Sequence, residues 1–378
     1  MKVLLIASTA RGHAIADALH RSPRKPQIFA LCPHRNPGLL HCAEELMTGN
    51  IMDFPWVLDI ARSLRPDFAI IGPDDPIGAG LADALQGIEI PTVAPTKALA
   101  RIESSKGFTR MLLQKHGIDA SPRFRIFERA DRKAMTAAIE DEFSGEYVVK
   151  YDALKGGKGV KVSGEHLAST EEGVAYAIDC VKECGRVVFE EKLTGVEFSL
   201  MSFVAGEQVV DMPAVQDHKR AYEGDTGPNT GGMGTYSDAD HALPFLAPAD
   251  LARAKEINRQ VAAALFCECR EGPKTPSAVE GYRGILYGVL MAGHDGIRLI
   301  EYNARFGDPE ALNVLPILSS DFVAICQAIL SGELSETLVT FEHKATVCKV
   351  VTPRSYPENK AEQGQEVTFP LDIPENAC

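Results

Sequence analysis

The stretch VVKYDALKGGKGV, from Val148 to Val160, decides how the rest of the chain is interpreted. Its β-branched opening is typical of a strand, and Val160 begins a second short strand. The glycines between the strands let backbone N–H groups turn towards an anion, and the lysines add positive charge. The stretch is not a Walker A loop, because it lacks G-x-x-x-x-G-K-[ST] and no helix follows. Alone, it indicates either a loop that binds nucleotide phosphates or an ordinary glycine hairpin with surface lysines.

Length and charge limit the class of protein further. A chain of 378 residues predicts two or three domains, and its net charge of −13 argues against a general nucleic-acid partner. No apolar run reaches the roughly 18 residues of a membrane span, so no membrane partner is expected. The nine cysteines show no paired C-x-x-C pattern. We therefore expect reduced thiols in a cytoplasmic protein. We also expect a monomer or a weak homodimer.

The first 95 or so residues alternate strands and helices, which predicts a parallel sheet covered on both faces. Ligands of such sheets lie beyond the carboxyl ends of the strands, where the loops Ser8–His13 and Gly72–Pro76 fall. Dinucleotide binding is not supported, because the first loop lacks G-x-G-x-x-G. Arg11 either holds a phosphate there or is an ordinary surface arginine. The predicted elements are strands Lys2–Ala7, Gln27–Leu31, Asp67–Ile71 and Ile90–Ala94, and helices His13–His20, Pro55–Leu64 and Ile77–Leu85.

The middle of the chain combines a small lobe with a long polar stretch. Residues 122 to about 195 read as a small α/β lobe that carries the glycine loop. The segment from Gln216 to Gly234 has almost no helix or strand character and is predicted to be a long loop. Such a loop in a compact domain is either functional or disordered, and the defined positions of its polar residues favour a substrate loop over a flexible linker.

A third region supplies candidate metal ligands. Strands Gly284–Ala292 and Ile297–Tyr302 form a predicted hairpin. Glu301 and Asn303 are two residues apart and therefore face the same side of the strand. Hard oxygen ligands of this kind suit Mg²⁺, which takes one or two protein ligands and fills its shell with phosphate oxygens and water. The alternative is a solvated strand end.

Together these stretches resemble one family, the phosphoribosylamine–glycine ligases or glycinamide ribonucleotide synthetases of the ATP-grasp superfamily. The resemblance runs from Met1 to about residue 353. The blocks Gln216–Arg220 and Asp225–Gly234 are its most specific part. The other matching stretches are Pro95–Lys97, Ser105–Thr109, Lys155–Val160, Glu190-Glu191 and Glu301–Glu310.

The resemblance implies an α/β fold (α+β overall), in which a Rossmann-like parallel-sheet domain precedes an ATP-grasp fold and a short β-rich segment follows. The implied domains are residues 1–100, 101–330 and 331–378, the last shorter than is usual in the family. It also implies a reaction of purine biosynthesis, in which ATP, glycine and 5-phosphoribosylamine give glycinamide ribonucleotide, ADP and phosphate through glycyl phosphate. Mg²⁺ or Mn²⁺ is the implied metal.

The resemblance also assigns residues to roles. Glu301 and Asn303 are the implied metal ligands. The implied catalytic residues are Arg305, Lys150, Asp217 and Asp308. The implied nucleotide-binding residues are Lys106, Lys150, Gly156, Gly157, Lys158, Gly159, Glu190, Glu191, Lys192, Leu193 and Glu197. The implied substrate-binding residues are Arg11, His13, Pro73, Asp74, Lys219, Asp225, Asn229, Thr230 and Gly231.

The sequence departs from the family pattern at several positions. Ser8-Thr9-Ala10 stands where the family has glycines, and Gly12 where it has a glutamate. Asp74 and Asp75 replace a glutamate and an alanine. Val289 stands where some members carry a glutamine ligand. Two alternatives therefore stay open: a ligase for another acid or amine, and a nucleotide-binding homologue without catalysis.

Overall fold

A computed structural model of the chain describes residues 1–155, 158–271 and 280–358, together with residues 366 and 368. Within these residues the strands form four sheets. The strands are β1 (Lys2–Ile6), β2 (Gln27–Cys32), β3 (Glu45–Thr48), β4 (Phe68–Ile71), β5 (Thr92–Val93), β6 (Phe124–Phe127), β7 (Tyr147–Tyr151), β8 (Val160–Val162), β9 (Val187–Glu191), β10 (Gly195–Ala205), β11 (Gln208–Asp211), β12 (Gln216–Tyr222), β13 (Thr226–Ser237), β14 (Arg283–Gly293), β15 (Gly296–Asn303) and β16 (Thr346–Lys349).

Helices cover these sheets, and most are short. They are α1 (Thr9–His20), α2 (Pro37–Cys42), α3 (Phe54–Leu64), α4 (Asp74–Ala79), α5 (Leu81–Gln86), α6 (Lys97–Ser104), α7 (Lys106–Lys115), α8 (Arg132–Ala137), α9 (Thr170–Cys184), α10 (Pro248–Glu271), α11 (Ala311–Val314) and α12 (Phe322–Ser331). A π-helical turn, Ala138–Glu142, follows α8, and a 3₁₀ turn, Glu336–Leu338, follows α12. Among the helices of the described residues, none is long and apolar enough to cross a membrane.

The N-terminal sheet has the strand order β3-β2-β1-β4-β5, and each neighbouring pair is parallel. The predicted parallel sheet is therefore confirmed. Its central strand β1 is a run of buried aliphatic residues, as expected for a strand covered on both faces. The predicted helix Ile77–Leu85 is instead two helices, because Gly80 adopts a φ of +100° between α4 and α5. A left-handed glycine at that position ends the first helix.

Strands β7 and β8, on either side of the glycine loop, pair with each other in the small-lobe sheet, whose order is β6-β9-β7-β8. The predicted strands are confirmed, since Val148 pairs with Val162 and Lys150 with Val160. An aromatic core supports the sheet, with the rings of Phe127 and Phe189 in edge contact at 5.1 Å. This packing places Lys150 on a rigid strand rather than on a loop.

The large-lobe sheet, β11-β10-β14-β15, is antiparallel and carries the candidate metal ligands. Strands β10 and β14 pair along their whole length, from Gly195 opposite Gly293 to Ala205 opposite Arg283. Helices α10 and α12 both pack against this sheet. The predicted hairpin is confirmed, and it brings Glu301 to the end of β15.

The segment from Gln216 to Gly234 is not a loop, so that prediction is wrong. Strands β12 and β13 form an irregular antiparallel hairpin, and β16 adds a third strand beside β13. The register shifts twice along β12, between His218 and Arg220 and again before Tyr222. Glycine, asparagine and aspartate have low strand propensity, and a shifted register removes the regular alternation by which a strand is recognised. Backbone pairing therefore builds this hairpin against the local sequence preference.

Candidate active site

A buried ion cluster joins the small lobe to the large-lobe sheet. Lys150 Nζ lies 2.9 Å from Glu190 Oε2 and donates to the Ile300 carbonyl at 2.8 Å. Arg110, from α7, donates to both Glu190 oxygens at 2.7 and 2.9 Å and to the same carbonyl. All three charged side chains are almost fully buried. The cluster therefore fixes the Lys150 ammonium beside the strand that carries Glu301.

Burial and pairing shift the titration of this cluster in a consistent way. Burial lowers the pKa of Lys150, although Glu190 opposes that shift. Burial alone would raise the pKa of Glu190, but Arg110 and Lys150 outweigh it and leave the pKa lowered. The sequence reasoning missed Arg110. Its i,i+4 spacing from Lys106 on one helix was the available signal.

The N-terminus of α7 is held against the glycine hairpin by Asp152. This buried carboxylate accepts the Gly107 N–H at 2.9 Å and contacts the Ser105 hydroxyl at 3.3 Å. It also pairs with Arg186. These contacts hold the first turn of α7, which begins at Lys106. Lys106 Nζ lies 3.8 Å from Glu301 Oε2.

Glu301 is a half-buried carboxylate surrounded by cations. Burial would raise its pKa, but four cations outweigh burial and leave the pKa lowered. These are Lys106, Lys150, Lys219 and Arg305. Three of these cations also pair with other carboxylates, Lys150 with Glu190, Lys219 with Glu197 and Arg305 with Glu103, whereas Lys106 has its nearest carboxylate oxygen in Glu301, at 3.8 Å. Such a group of cations favours a polyanion, as the phosphates of a nucleotide are.

The residues present fit a divalent cation. Glu301 offers a carboxylate, and Asn303 offers an amide oxygen that accepts from Arg305 Nη2 at 3.1 Å. In the described part of the chain, no cluster of three or more His, Cys, Asp or Glu side chains is arranged to hold a metal ion. Val289 lies opposite Glu301 and supplies no ligand. Two hard oxygen donors suit Mg²⁺ that takes its other ligands from phosphate and water.

Arg305 follows β15 and lies among acidic and aromatic groups. Its Nη2 lies 3.2 Å from Glu103 Oε1, and its Nη1 donates to the Phe306 carbonyl at 3.2 Å. Its guanidinium carbon is 5.8 Å from the centre of the Tyr287 ring. Burial would lower its pKa, but Glu103 and other acidic groups outweigh burial and raise it. Its Nε is buried, and no hydrogen-bond partner for it lies in the part of the chain that the structure describes.

The first N-terminal loop reaches this site. Arg11 Nη1 donates to the Phe306 carbonyl at 2.9 Å, and the Arg11 backbone N–H lies 3.3 Å from Asp308 Oδ2. The Thr9 hydroxyl also contacts Asp308. Burial lowers the pKa of Arg11 to about 10, and the nearby Arg305 adds to that shift. Arg11 therefore braces the segment after β15 and is not an ordinary surface arginine.

The other predicted substrate-binding residues of the N-terminal domain fall into two groups. Asp74 lies near enough to raise the pKa of both Arg11 and Arg305, so the structure brings it to the site. Pro73 directly precedes it as the N-cap of α4. His13 is exposed, and its ring packs on Gly38, where a Cβ atom would lie 2.3 Å from the ring.

The β12–β13 hairpin folds over the segment 307–310. A Cβ atom on Gly232 would lie 3.1 Å from Asp217 Oδ1 and 3.2 Å from Pro309 Cδ. Asp217 Oδ1 is buried and has no hydrogen-bond partner among the described residues, and burial together with Glu310 raises the pKa of Asp217 to about 7. Lys219 pairs with Glu197 beside it. A carboxyl group with this pKa is suited to accepting a proton near neutral pH.

The tip of the hairpin has fewer contacts. Asp225, Asn229 and Gly231 are exposed. Thr230 is half-buried, and its hydroxyl donates to the Lys219 carbonyl at 2.9 Å and accepts from the Gly232 N–H at 3.1 Å. The predicted substrate residues therefore form an open surface above the paired residues at the base of the hairpin.

The segment Glu190–Leu193, which contains predicted nucleotide-binding residues, links the small lobe to β10. Glu191 pairs with Arg123 at 2.6 Å, and Lys192 Nζ lies 3.3 Å from Glu146. These side chains contact the small lobe, and Leu193 is half-buried after them. Because the Glu190 carboxylate is held by Arg110 and Lys150, the backbone of this segment is what remains to contact a base.

The glycine loop is only partly described. Gly156 and Gly157 lie outside the described residues. Lys158 is exposed, and its backbone N–H donates to the Lys155 carbonyl at 3.1 Å. A Cβ atom on Gly159 would lie 3.0 Å from the Cβ of Tyr151, so glycine allows the close turn into β8.

Further residues of the site were missed by the sequence reasoning. Glu103 is buried and contacts Arg305. The Tyr287 hydroxyl donates to Glu310 Oε1 at 2.5 Å and lies 2.9 Å from the Ser199 hydroxyl. Glu310 is the last residue of the stretch Glu301–Glu310 that resembles the family, but no local sequence pattern indicated that its carboxylate is buried.

The comparisons with known proteins match this geometry. Residues 1–103 match the profile of the phosphoribosylglycinamide synthetase N domain, and residues 104–311 match the ATP-grasp (A) domain of the same synthetase. The chain belongs to the phosphoribosylglycinamide synthetase family. The family predicted from the sequence motifs is therefore confirmed.

Individual members of the phosphoribosylglycinamide synthetase family are close in sequence. The phosphoribosylamine–glycine ligase of Methanococcus vannielii is 45% identical over 363 residues, which cover 94% of this chain and 79% of that protein. The ligase of Methanocella arvoryzae is 45% identical over 359 residues, covering 95% and 80%. These relatives carry the name of an ATP-dependent carbon–nitrogen ligase, which agrees with the predicted enzyme class.

Solved structures of the family agree with the fold. The phosphoribosylamine–glycine ligase of Thermotoga maritima superposes with a TM-score of 0.75 at 26% identity, over 95% of this chain and 82% of that one. The phosphoribosylglycinamide synthetase of Anaerococcus prevotii gives 0.62 at 15% identity, over 93% and 80%. The predicted fold class, an ATP-grasp fold after a parallel-sheet domain, is confirmed. The domain boundaries, the residue roles and the cytoplasmic location stay predictions.

Proposed function

We propose that this chain joins glycine to 5-phosphoribosylamine at the expense of ATP, giving glycinamide ribonucleotide, ADP and phosphate. The observation that carries the proposal is the group of four cations around Glu301, all of them within the residues that match the ATP-grasp (A) domain profile. The step belongs to purine biosynthesis. The proposed nucleotide site comprises Lys106, Lys150, the glycine loop and the segment Glu190–Leu193, with Glu197 at the ribose.

The first chemical step activates the glycine carboxylate. A carboxylate is a poor electrophile, and transfer of the γ-phosphoryl group converts one of its oxygens into a leaving group. Phosphoryl transfer needs mainly positioning and neutralisation of charge, so no protein nucleophile is required. In the proposal, Lys106 and Lys150 face the nucleotide phosphates, and Arg305 stabilises the charge that develops on the transferred group.

Glu301 and Asn303 are the proposed ligands of the divalent metal, Mg²⁺ or Mn²⁺. When bound, the metal neutralises phosphate charge and orients the phosphates. Both ligands lie at the end of a paired strand, which holds them in place for the nucleotide.

The second step is attack by the amine of phosphoribosylamine on glycyl phosphate, which releases phosphate. We place the amine near Asp217 and Asp308, between the hairpin and the first N-terminal loop. The raised pKa of Asp217, about 7, suits it to take the proton that the amine loses. The remaining proposed contacts come from the N-terminal loops and the hairpin, namely Arg11, His13, Pro73, Asp74, Lys219, Asp225, Asn229, Thr230 and Gly231.

One observation favours a second candidate, a ligase for a different acid or amine. Thr9 stands where the family pattern has glycine, and its hydroxyl contacts Asp308, which a glycine cannot do. This contact alters the polar groups that face the proposed amine site. The same nucleotide site would then activate another carboxylate.

The test is ADP release by the purified chain with ATP, Mg²⁺, glycine and freshly generated phosphoribosylamine, with each component omitted in turn. Release that requires both glycine and the amine, with glycinamide ribonucleotide identified by mass spectrometry, supports the proposal. ATP binding without release would contradict it, and a panel of other carboxylates and amines would then examine the second candidate.

A further inference from the structure

One buried residue, Glu103, contacts two of the four cations around Glu301, Arg305 through its carboxylate and Lys106 through its main-chain carbonyl. Glu103 lies at the end of α6, three residues before Lys106, and only 4% of its surface is exposed. Its Oε1 lies 3.2 Å from Arg305 Nη2, and its Oε2 accepts the Ala304 backbone N–H at 2.8 Å. The Glu103 carboxylate therefore holds both the Arg305 side chain and the backbone N–H of Ala304, the residue before it.

The main chain of the same residue holds the second cation. The Glu103 carbonyl accepts from Lys106 Nζ at 3.1 Å. Lys106 lies on one side of Glu301, at 3.8 Å, and Arg305 contacts Asn303 on the other. The two cations that flank the metal ligands are thus anchored to a single residue outside the ligand set.

Asp74 and Glu310 also help to raise the pKa of Arg305, but among the described residues Glu103 is the carboxylate within ion-pair distance of it. The hydrogen-bond acceptors of Arg305 in the same part of the chain are neutral oxygens, those of Asn303 and Phe306. Arg305 lies close enough to Arg11 to lower the pKa of the Arg11 guanidinium, because the two cations repel each other. Removing the Glu103 charge would therefore leave Arg305 facing a like charge without its paired carboxylate.

We infer that Glu103 is a positioning residue, whose carboxylate sets Arg305 for phosphoryl transfer without contacting a substrate. The inference rests on the proposed function for its kinetic consequence. Its kinetic signature follows from the geometry. Loss of the carboxylate changes where Arg305 lies relative to the transferred group, so the chemical step slows while the nucleotide still binds.

The test compares E103Q with E140Q, which makes the same chemical change at an exposed glutamate. We expect kcat to fall about 100-fold in E103Q, as for a displaced catalytic group. We expect KM for ATP to change by less than about threefold, because ground-state binding is kept. E140Q keeps the wild-type values. E103D, which keeps the charge but is one methylene shorter, should recover part of kcat, and it carries the comparison if E103Q does not fold.

A double-mutant cycle separates positioning from general stability. If Glu103 acts through Arg305, E103Q/R305Q is no slower than R305Q alone. Effects that multiply would contradict the inference. So would a raised KM for ATP with kcat preserved, or a wild-type kcat in E103Q.

A readout without substrates distinguishes this inference from the proposed function. If the wild-type chain makes no glycinamide ribonucleotide, the proposed function fails, but hydrogen exchange at the Ala304 amide still reports on Glu103. We expect faster exchange in E103L than in E140L, because a leucine side chain cannot accept a hydrogen bond from the Ala304 N–H. Equal exchange in the two variants would overturn the inference.

Discussion

Two parts of the site are built in opposite ways. One is the floor, by which we mean the buried ion cluster and the adjacent end of β15 with Glu301, and the other is the β12–β13 hairpin above it. In the floor, the charged groups of Arg110, Lys150 and Glu190 are buried and paired before any ligand arrives. At the hairpin tip, Asp225, Asn229 and Gly231 are exposed, on an irregular ladder. The comparison teaches that the proposed nucleotide end of the site is preorganised, whereas the exposed tip is where we expect a substrate to add polar contacts.

The largest expected effect comes from the floor. We expect Glu301→Ala to lower turnover by about 1000-fold or more, because the variant loses a metal ligand that is worth several kcal/mol in the transition state. The chain should stay folded, as judged by circular dichroism and thermal unfolding. Glu140→Ala, at an exposed position, is the matched control. Unchanged turnover in Glu301→Ala would refute the metal role.

The second effect tests whether the floor depends on its buried charges. We expect Arg110→Met to lower the free energy of unfolding by about 3–5 kcal/mol, because a buried carboxylate loses a bidentate partner. Denaturant unfolding measures the change, and Arg132→Met is the exposed control. Because the folded pKa of Glu190 is lowered, its contribution is present above the unfolded pKa and is lost as pH falls through the folded pKa. If Arg110→Met is as stable as Arg132→Met, the floor does not rest on this cluster.

The third prediction concerns the base of the hairpin, where Asp217 is buried. The folded pKa, about 7, lies above the ordinary value of 3.8, so the native state binds more protons than the unfolded state between these values. Stability therefore falls as pH rises through that window. We expect the wild type to lose unfolding free energy relative to D217N between pH 4 and pH 8. Parallel stability curves for the two proteins would show that Asp217 titrates normally.

The smallest effect belongs to the hairpin tip. We expect Asn229→Ala to lower kcat/KM for the amine substrate by about fivefold, the value of one hydrogen bond of about 1 kcal/mol. KM for ATP and thermal stability should not change, since the side chain is exposed. Glu223→Ala, on the same tip, is the control. A matching loss of stability in Asn229→Ala would mean that the tip is structural and does not await substrate.

Local pattern was enough to predict the floor in part. The apolar run of β1 indicated a parallel sheet, and the period of two placed Glu301 and Asn303 on one face. The Arg110–Glu190 pair spans 80 residues in sequence, and the placement of Glu103 against Arg305 spans 202. Such contacts depend on how sheets and helices pack, and no local pattern carries that information.

The hairpin illustrates the opposite failure. Its residues were sufficient to predict the family. They did not predict the strands, because glycine, asparagine and aspartate have low strand propensity and backbone pairing overrides that preference. The raised pKa of Asp217 was also beyond the sequence, since it depends on burial and on Glu310, which lies far along the chain. Strand β3 was missed for a simpler reason, since its short sequence ELMT is only half buried.

The most direct test of the central claim follows an oxygen atom. Glycine labelled with oxygen-18 in both carboxylate oxygens is turned over with ATP and phosphoribosylamine, and the released phosphate is analysed by mass spectrometry. Because glycyl phosphate leaves one carboxylate oxygen on the phosphate, we predict one labelled oxygen in each phosphate released. Phosphate without label, formed together with ADP, would show that ATP is hydrolysed without activation of the carboxylate and would contradict the account.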